Sequence, residues 1–387
     1  MKLCFINPTR QGRAVVYELA RQLARCKGYE ITILQPNVSS RIRDGVRLQL
    51  SNNVDVVYFP AFFLPNINYN VPSFRREAQI LRELLLEERY EIVQACDYDY
   101  LSSVAPMFLK KRLKAPIVLT TDAFPGYSWS YGNGFVDAVA KLYTYSIGKR
   151  ILCAYDAVVL LYKALSEEAK AFGVPSERIR VIPNGIDFNR FGQGTNLPAL
   201  KARFSIRDDE KVLLYVGRLS GAKRIEILIR LTKILVKEGF ELKTIIVGEG
   251  PDRNRLESLS RSMEENIVFT GYIQRDQIPN YYLLGDVFVL PSLSEGLPTV
   301  LLEAAAAGKS CVASNVNGVP DIVVHGETGF LVDKLDLDSY VHYVRLLLAD
   351  ETLRKRMGEK ARVHVEESFN WGSIVNQYDG IYRQLAD

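Results

Sequence analysis

Short apolar runs alternate with amphipathic stretches of helical period throughout the 387-residue chain, and this alternation constrains its fold more than any other feature. A strand followed by a helix that returns across the sheet makes a βαβ unit, and repetition of such units winds a parallel sheet covered on both faces. In the first half the pattern predicts strands at Leu3–Ile6, Glu30–Leu34, Val54–Phe59, Ile92–Ala95, Ile117–Thr120 and Ala157–Leu160. In the second it predicts Lys211–Val216, Lys243–Val247, Asn266–Thr270, Val287–Leu290 and Ser310–Ala313. Among the intervening helices, Ala14–Arg25 places Ala20, Leu23 and Ala24 on one apolar face, and Glu226–Glu238 does the same with Leu228, Leu231 and Leu235.

The chain exceeds the roughly 250–300 residues beyond which one hydrophobic core usually splits, so two domains are expected. Hydrophobic residues at 48% and charged residues at 24% are globular values that exclude extended disorder. Asp187–Phe204 carries Gly192, Gly194 and Pro198 without periodicity and reads as the linker between the halves. Residues 1–190 hold 25 Lys and Arg against 18 Asp and Glu, whereas residues 191–387 hold 24 against 27. The basic excess of the first half suits a solvated surface, a phosphate-bearing substrate or an acidic membrane face. Five scattered cysteines, Cys4, Cys26, Cys96, Cys153 and Cys311, form no C-x-x-C pair, which argues against disulfides and zinc and fits a reducing cytosol. The N-terminus lacks the apolar stretch of a signal peptide, and no apolar run is long enough to span a bilayer.

The chemistry concentrates in Pro291-Ser-Leu-Ser-Glu295-Gly296-Leu297-Pro298-Thr299, continuing to Glu303 and Gly308, which reads as strand end, loop and helix. Pro298 is expected at the first helical position, leaving the amides of Thr299 and Val300 free at a positive helix end that suits an anion. Glu295 falls in the loop and Glu303 about a turn inside the helix, where carboxylates can accept hydrogen bonds from sugar hydroxyls. Ala304–Ala307 lets the helix approach its sheet before Gly308 ends it. A second strand-to-helix loop, Tyr215-Val-Gly217-Arg218-Leu-Ser-Gly221-Ala-Lys223-Arg224, combines turn-forming glycines with cations. Arg218 and Lys223 suit a diphosphate and can neutralise its developing charge without a metal ion. No metal-ligand cluster is visible, and His325 reads as a surface residue. Aromatic residues near cations, in Tyr58–Pro65 with Arg75 and Arg76 and in Phe124–Tyr131, read as loops for an acceptor pocket, a membrane interface or core packing.

These segments resemble the retaining glycosyltransferases of family 4, the "group 1" set with the GT-B fold. The resemblance covers most of the chain and is strongest over residues 181–332. It rests on Pro183-Asn-Gly-Ile-Asp187, Gly217-Arg218 with Lys223, Val247-Gly248-Glu-Gly250-Pro251, Phe269-Thr-Gly271-Tyr272, the Glu295/Glu303 pair, and Gly318-x-Pro-Asp through Gly326-Glu-Thr-Gly329-Phe. It implies two Rossmann-like, doubly wound parallel-sheet domains facing a cleft. Residues 1–190 would form the acceptor-binding domain and 191–370 the nucleotide-sugar domain, with 371–387 a helix packing back on the first.

By the same resemblance Glu295 contacts the donor sugar, Glu303 binds the ribose, and Arg218 and Lys223 hold the diphosphate. Gly217, Gly248, Gly250, Gly296, Leu297, Pro298 and Thr299 would line the donor site, with the base near Tyr272. Gly12, in Pro8-Thr-Arg-Gln-Gly12-Arg13, matches the first turn of the acceptor domain, although many relatives have two adjacent glycines there. Asp122 stands where many relatives carry a histidine that contacts the sugar; a turn-stabilising role is the alternative.

The implied function is metal-independent, cofactor-free transfer of a sugar, with retention, from a UDP- or GDP-sugar to a glycan or lipid-linked acceptor. The protein is expected in the cytoplasm, in possible contact with the anionic inner face of a membrane, without a nucleic-acid partner. Competing expectations are a GT-B-like sugar-nucleotide epimerase and a non-catalytic donor-binding subunit.

Overall fold

The computed structural model describes residues 1–8, 14–37, 45–64, 69–72, 82–83, 85–86, 88–130, 134–191 and 197–387. Two compact units emerge, one built on Met1–Trp129, residues 134–185 and Trp371–Asp387, the other on Ser130 and Ile186–Asn370.

The first unit holds β1 (Lys2–Ile6), β2 (Glu30–Asn37), β3 (Arg47–Ser51), β4 (Val54–Leu64), β5 (Tyr69–Pro72), β6 (Ile92–Cys96), β7 (Ile117–Thr121), β8 (Ala157–Leu160) and β9 (Ile179–Val181). Their order is β3-β4-β2-β1-β6-β7-β8-β9, with β5 paired to β4. β2 and β6 flank β1 in parallel, and Leu3, Cys4, Phe5 and Ile6 are wholly buried because helices cover both faces. β3 and β5 depart from the parallel expectation and run antiparallel to β4. Only Asn52 and Asn53 join β3 to β4, a link that permits a hairpin and is too short for a crossover; Asn53 accordingly adopts φ 61°.

Helix Ala14–Lys27 buries Val16, Leu19, Ala20, Leu23 and Ala24 in a core shared with helix Trp371–Ala386, which contributes Trp371, Ile374, Val375, Tyr378, Ile381 and Tyr382. The Tyr382 hydroxyl donates to Gln94 of β6, and Lys27 pairs with Asp379 at 3.1 Å. The C-terminal helix is therefore part of the first unit's core.

Tyr58–Leu64, read as an aromatic loop, is strand: β4 extends through it because β5 supplies a partner on that edge. Pro65, Arg75, Arg76 and Tyr131 lie outside the described residues. In the second aromatic segment Phe124 is core, packed on Tyr98 and Phe172, while Tyr127 is exposed.

The second unit is a six-stranded sheet of β10 (Lys211–Val216), β11 (Leu242–Val247), β12 (Ile267–Gly271), β13 (Val287–Leu290), β14 (Ser310–Ser314) and β15 (Gly329–Val332). All its pairings are parallel, in the order β12-β11-β10-β13-β14-β15. That is the doubly wound 3-2-1-4-5-6 order, whose crevice opens at the carboxyl ends of the two strands where winding reverses, here β10 and β13. Helix Ile225–Lys237 buries Leu228, Leu231 and Leu235, the face its periodicity marks. The described part of Asp187–Phe204 belongs to this unit and is not a free linker. Phe191 packs edge-on against Tyr282, with ring centroids 5.8 Å apart, and Leu200 and Phe204 are buried. All five cysteines are thiols.

Candidate active site

The site of the second unit is a lattice of backbone contacts between the loops that follow neighbouring strands. Gly217 N–H donates to Val247 O at 2.9 Å, Leu219 N–H to Glu249 O at 2.9 Å, and Gly248 N–H to Gly271 O at 3.1 Å. These approaches require glycine. A Cβ on Gly248, at φ +136°, would meet Gly217 O at 1.9 Å, and one on Gly250 would meet Leu219 O at 2.1 Å. Both obstacles are backbone atoms and cannot rotate away, so any side chain at either position would part the loops.

Across the switch point the loops after β10 and β13 are joined by their side chains. Lys223 Nζ donates to Glu295 Oε1 at 2.7 Å, and Ser292 Oγ donates to the same oxygen at 2.6 Å. Leu293 N–H reaches Ala222 O at 2.8 Å. Asn317 Nδ2 donates to Glu295 O at 2.6 Å, and Gly318 N–H to Gly296 O at 3.1 Å, so the segment after β14 fixes the backbone of the acidic loop. Only 7% of the Glu295 side chain is exposed, against 19% for Lys223. Ser292 and Asn317 were missed by the sequence reading; Ser292 lies in the same Pro-Ser-Leu-Ser-Glu run, but Asn317 carries no spacing signal.

Arg218 stands differently. The buried Tyr215 hydroxyl donates to the Arg218 carbonyl at 3.0 Å, while the Arg218 side chain is exposed. Burial pushes the Tyr215 hydroxyl far up, with the Glu295 charge adding to the effect, so it remains a donor.

Helix Thr299–Ala306 begins one residue later than expected. Pro298 is its N-cap, at φ −72° and ψ 106°, because a fixed proline φ is as compatible with an extended cap residue as with the first helical turn. Among the described residues no side chain caps this end, and Leu301 N–H is taken by Pro298 O at 3.0 Å. Gly296, Leu297 and Pro298 are buried, and Thr299 is half-buried. Ala304–Ala307 are buried, and Gly308 ends the helix at φ +69°.

Glu303, one turn in, accepts from the Tyr282 hydroxyl at 2.8 Å. Burial holds its carboxyl above the usual range, opposed by the Tyr282 hydrogen bond and by the charges of Arg275 and Arg190. Arg190 is itself placed by donating to Arg275 O at 2.7 Å. Tyr282, Arg190 and Arg275 also escaped the sequence reading, because they converge from three separate elements.

Tyr272 follows Gly271 and is exposed. His325 lies at the surface, its Nδ1 accepting from Leu331 N–H at 3.1 Å. Among the described residues no three His, Cys, Asp or Glu side chains come together as a metal site. Asp122 belongs to the first unit, half-buried just beyond β7, where Thr121 Oγ1 bonds to Ala123 O and Ser128 Oγ accepts from Phe124 N–H. Gly12 lies outside the described residues.

The profile of the glycosyl transferases group 1 matches residues 198–364, and that of glycosyltransferase family 4 matches residues 13–190. The chain belongs to the family 4 glycosyltransferases. This glycosyltransferase is 28% identical over 382 residues to N-acetyl-alpha-D-glucosaminyl L-malate synthase of Bacillus anthracis, covering 97% of this chain and 94% of that protein. It is 26% identical to the UDP-Gal:alpha-D-GlcNAc-diphosphoundecaprenol alpha-1,3-galactosyltransferase of Escherichia coli, over 84% of each. Its fold is GT-B. Sucrose-phosphate synthase from Thermosynechococcus elongatus superposes with a TM-score of 0.82 at 22% identity, covering 100% of this chain and 99% of that one. Anabaena HepE, in complex with UDP and glucose, superposes with a TM-score of 0.77 at 17% identity over 100% of both chains.

Proposed function

We propose that this glycosyltransferase moves a sugar with retention from a UDP- or GDP-sugar to a glycan or lipid-linked acceptor, without a metal ion. The observation that carries the reading is the Lys223–Glu295 pair, held between the loops at the doubly wound switch point beside a helix end that no side chain caps. In this reading the bond between the anomeric carbon and the diphosphate oxygen breaks. A bond to the acceptor hydroxyl forms on the same face, and the hydroxyl proton leaves to a base. Lys223, Arg218 and the amides of Thr299 and Val300 receive the charge that develops on the leaving diphosphate. The carboxylates of Glu295 and Glu303 accept hydrogen bonds from the donor sugar and the ribose, and the Gly217, Gly248 and Gly250 loops leave room for the nucleotide.

A nucleotide-sugar donor is supported by one relative and one structural neighbour: the Escherichia coli enzyme's name specifies UDP-Gal, and HepE was solved with UDP and with UDP-glucose. The experiment is a thermal-shift panel of UDP- and GDP-sugars, followed by NMR of the product formed from each stabilising donor. The expected result is stabilisation by one nucleotide series and an α-linked product from an α-linked donor. A β-linked product would overturn retention, and stabilisation without transfer to any acceptor would point to a donor-binding subunit.

A further inference from the structure

We infer that the segment Gly134–Gly148 is a membrane-surface element that seats this enzyme on an anionic bilayer. The inference deepens the lipid-linked acceptor of the proposed function. Helix Gly134–Tyr143 buries none of its ten residues, although it is among the most apolar helices of the protein. Its exposed side chains include Phe135 at 80% and Leu142 at 68%, with Val139 between them and Tyr145 and Ile147 just beyond. Positions 135, 139 and 142 lie on one stripe, being spaced by four and three residues.

The opposite stripe faces the body of the unit. Gly126 sits so close to the helix that a Cβ would meet Lys141 N at 2.4 Å and Asp137 O at 2.7 Å. Thr144 is wholly buried, donating to Pro125 O at 2.8 Å and bonded to the Tyr98 hydroxyl at 2.8 Å. Tyr143 stacks on Tyr98 at 6.4 Å, and its hydroxyl donates to the Tyr98 carbonyl at 3.1 Å. The helix is thus anchored through its small and polar side, and the apolar stripe is turned outward. This reverses the pattern of a surface helix in a soluble protein, and it is the pattern of a helix lying in a membrane interface.

Charge selects the occupant. Lys141 is exposed within the segment, and Lys149 and Arg150, which directly follow it, are exposed too, whereas Asp137, the one carboxylate of the segment, is half-buried. In a twofold self-association the same patch meets itself and these cations repel, whereas lipid phosphates complement them.

The test is flotation with phosphatidylcholine vesicles, with and without phosphatidylglycerol, at low and high salt. The wild type should bind the anionic vesicles and release with salt. The double variant Phe135→Ser/Leu142→Ser should lose at least about tenfold in partitioning, because two interfacial apolar side chains are removed. Its melting temperature and its stabilisation by the nucleotide-sugar should stay unchanged, which keeps this test separate from that of donor binding. Lys149→Gln/Arg150→Gln should lose the preference for phosphatidylglycerol. As an independent readout, Phe135→Trp should gain a blue-shifted emission on addition of anionic vesicles. Wild-type partitioning by the Ser variant, or no wild-type binding even at low salt, would overturn the inference. So would a dimer in sedimentation velocity that the Ser substitutions dissociate, since the stripe would then be a self-interface.

Discussion

Replacing Glu295 by Gln is the sharpest perturbation of the site, because it keeps shape and removes only charge. The carboxylate oxygen Oε1 accepts from an ammonium at 2.7 Å and a hydroxyl at 2.6 Å, and almost none of the side chain reaches water. A hydrogen bond to a charged group contributes about 1.5–3 kcal/mol net. Glutamine retains an acceptor but leaves the Lys223 ammonium facing a neutral amide. Most of that contribution is therefore lost, and melting should fall by roughly 3–12 °C for a unit of this size. Lys223→Met should cost at least as much, since it strands a buried carboxylate. The double variant Lys223→Met/Glu295→Gln carries no unpaired charge, and much of its stability should return. Turnover should behave differently. Each single variant should lose at least about 100-fold in transfer, as preorganised electrostatic groups do, and the double variant should not recover it. The assay is urea unfolding beside donor-consumption kinetics on the same preparations. A folded Glu295→Gln enzyme with the wild-type rate, or a double variant that regains turnover along with stability, would show that the pair is a structural clamp and would refute the site assignment.

Gly250→Ala should destabilise the second unit by about 1–3 kcal/mol or more in urea unfolding, and abolish the thermal shift given by the donor, because its Cβ meets a backbone carbonyl. Transfer should persist in excess EDTA; loss that Mg²⁺ or Mn²⁺ restores would show that cationic side chains do not carry the leaving group. Burial raises the folded Glu303 carboxyl above its unfolded value, so its favourable contribution is present at acid pH and is lost as pH rises through the folded value. Glu303→Gln should accordingly gain in melting temperature over wild type as pH rises above the ordinary glutamate value of about 4.3; a pH-independent difference would contradict the assignment. Asp122→Asn should fold normally and lose at least about tenfold in transfer if the carboxylate acts on substrate. Unchanged kinetics with lowered melting would assign Asp122 to the turn.

The second unit was legible because its chemistry sits in short strand-to-helix loops. Gly248 and Gly250 are required there by backbone contact and Gly217 lies against the Tyr215 hydroxyl, and glycine is visible in a sequence. The Glu295–Lys223 partnership could not be seen in the same way, since 72 residues separate the two and only the strand order brings their loops together. The same limit hid Tyr282 and Arg190 from Glu303. The missed strands β3, β5, β9 and β15 are three to five residues long. β3 and β9 are nowhere fully buried, so neither offers the apolar run that marks a central strand. Gly134–Tyr143 shows a different limit. Its periodicity reads as a core-facing helix, and only the packing of Gly126 and Thr144 reveals which side faces inward.

Arg218 and Lys223, both in the loop after β10, are held by different means, and the difference bears on how a diphosphate would meet them. Lys223 is fixed through its side chain, by a carboxylate that is itself fixed by Ser292 and, through its backbone, by Asn317. Arg218 is fixed through its main chain, by Tyr215, and its guanidinium extends into solvent. An anion approaching from water therefore meets the exposed fork first and the positioned point charge second. The exposed arginine has little desolvation left to undergo and can follow the phosphate oxygens as they move, which suits capture. The lysine is half-buried and already oriented by its carboxylate, so its attraction to charge appearing on the leaving oxygen needs little reorganisation at that moment, which suits the transition state. Exchanging the two residue types would place the bulky planar fork in the confined pair and the compact ammonium in open water, where each does the other's task poorly.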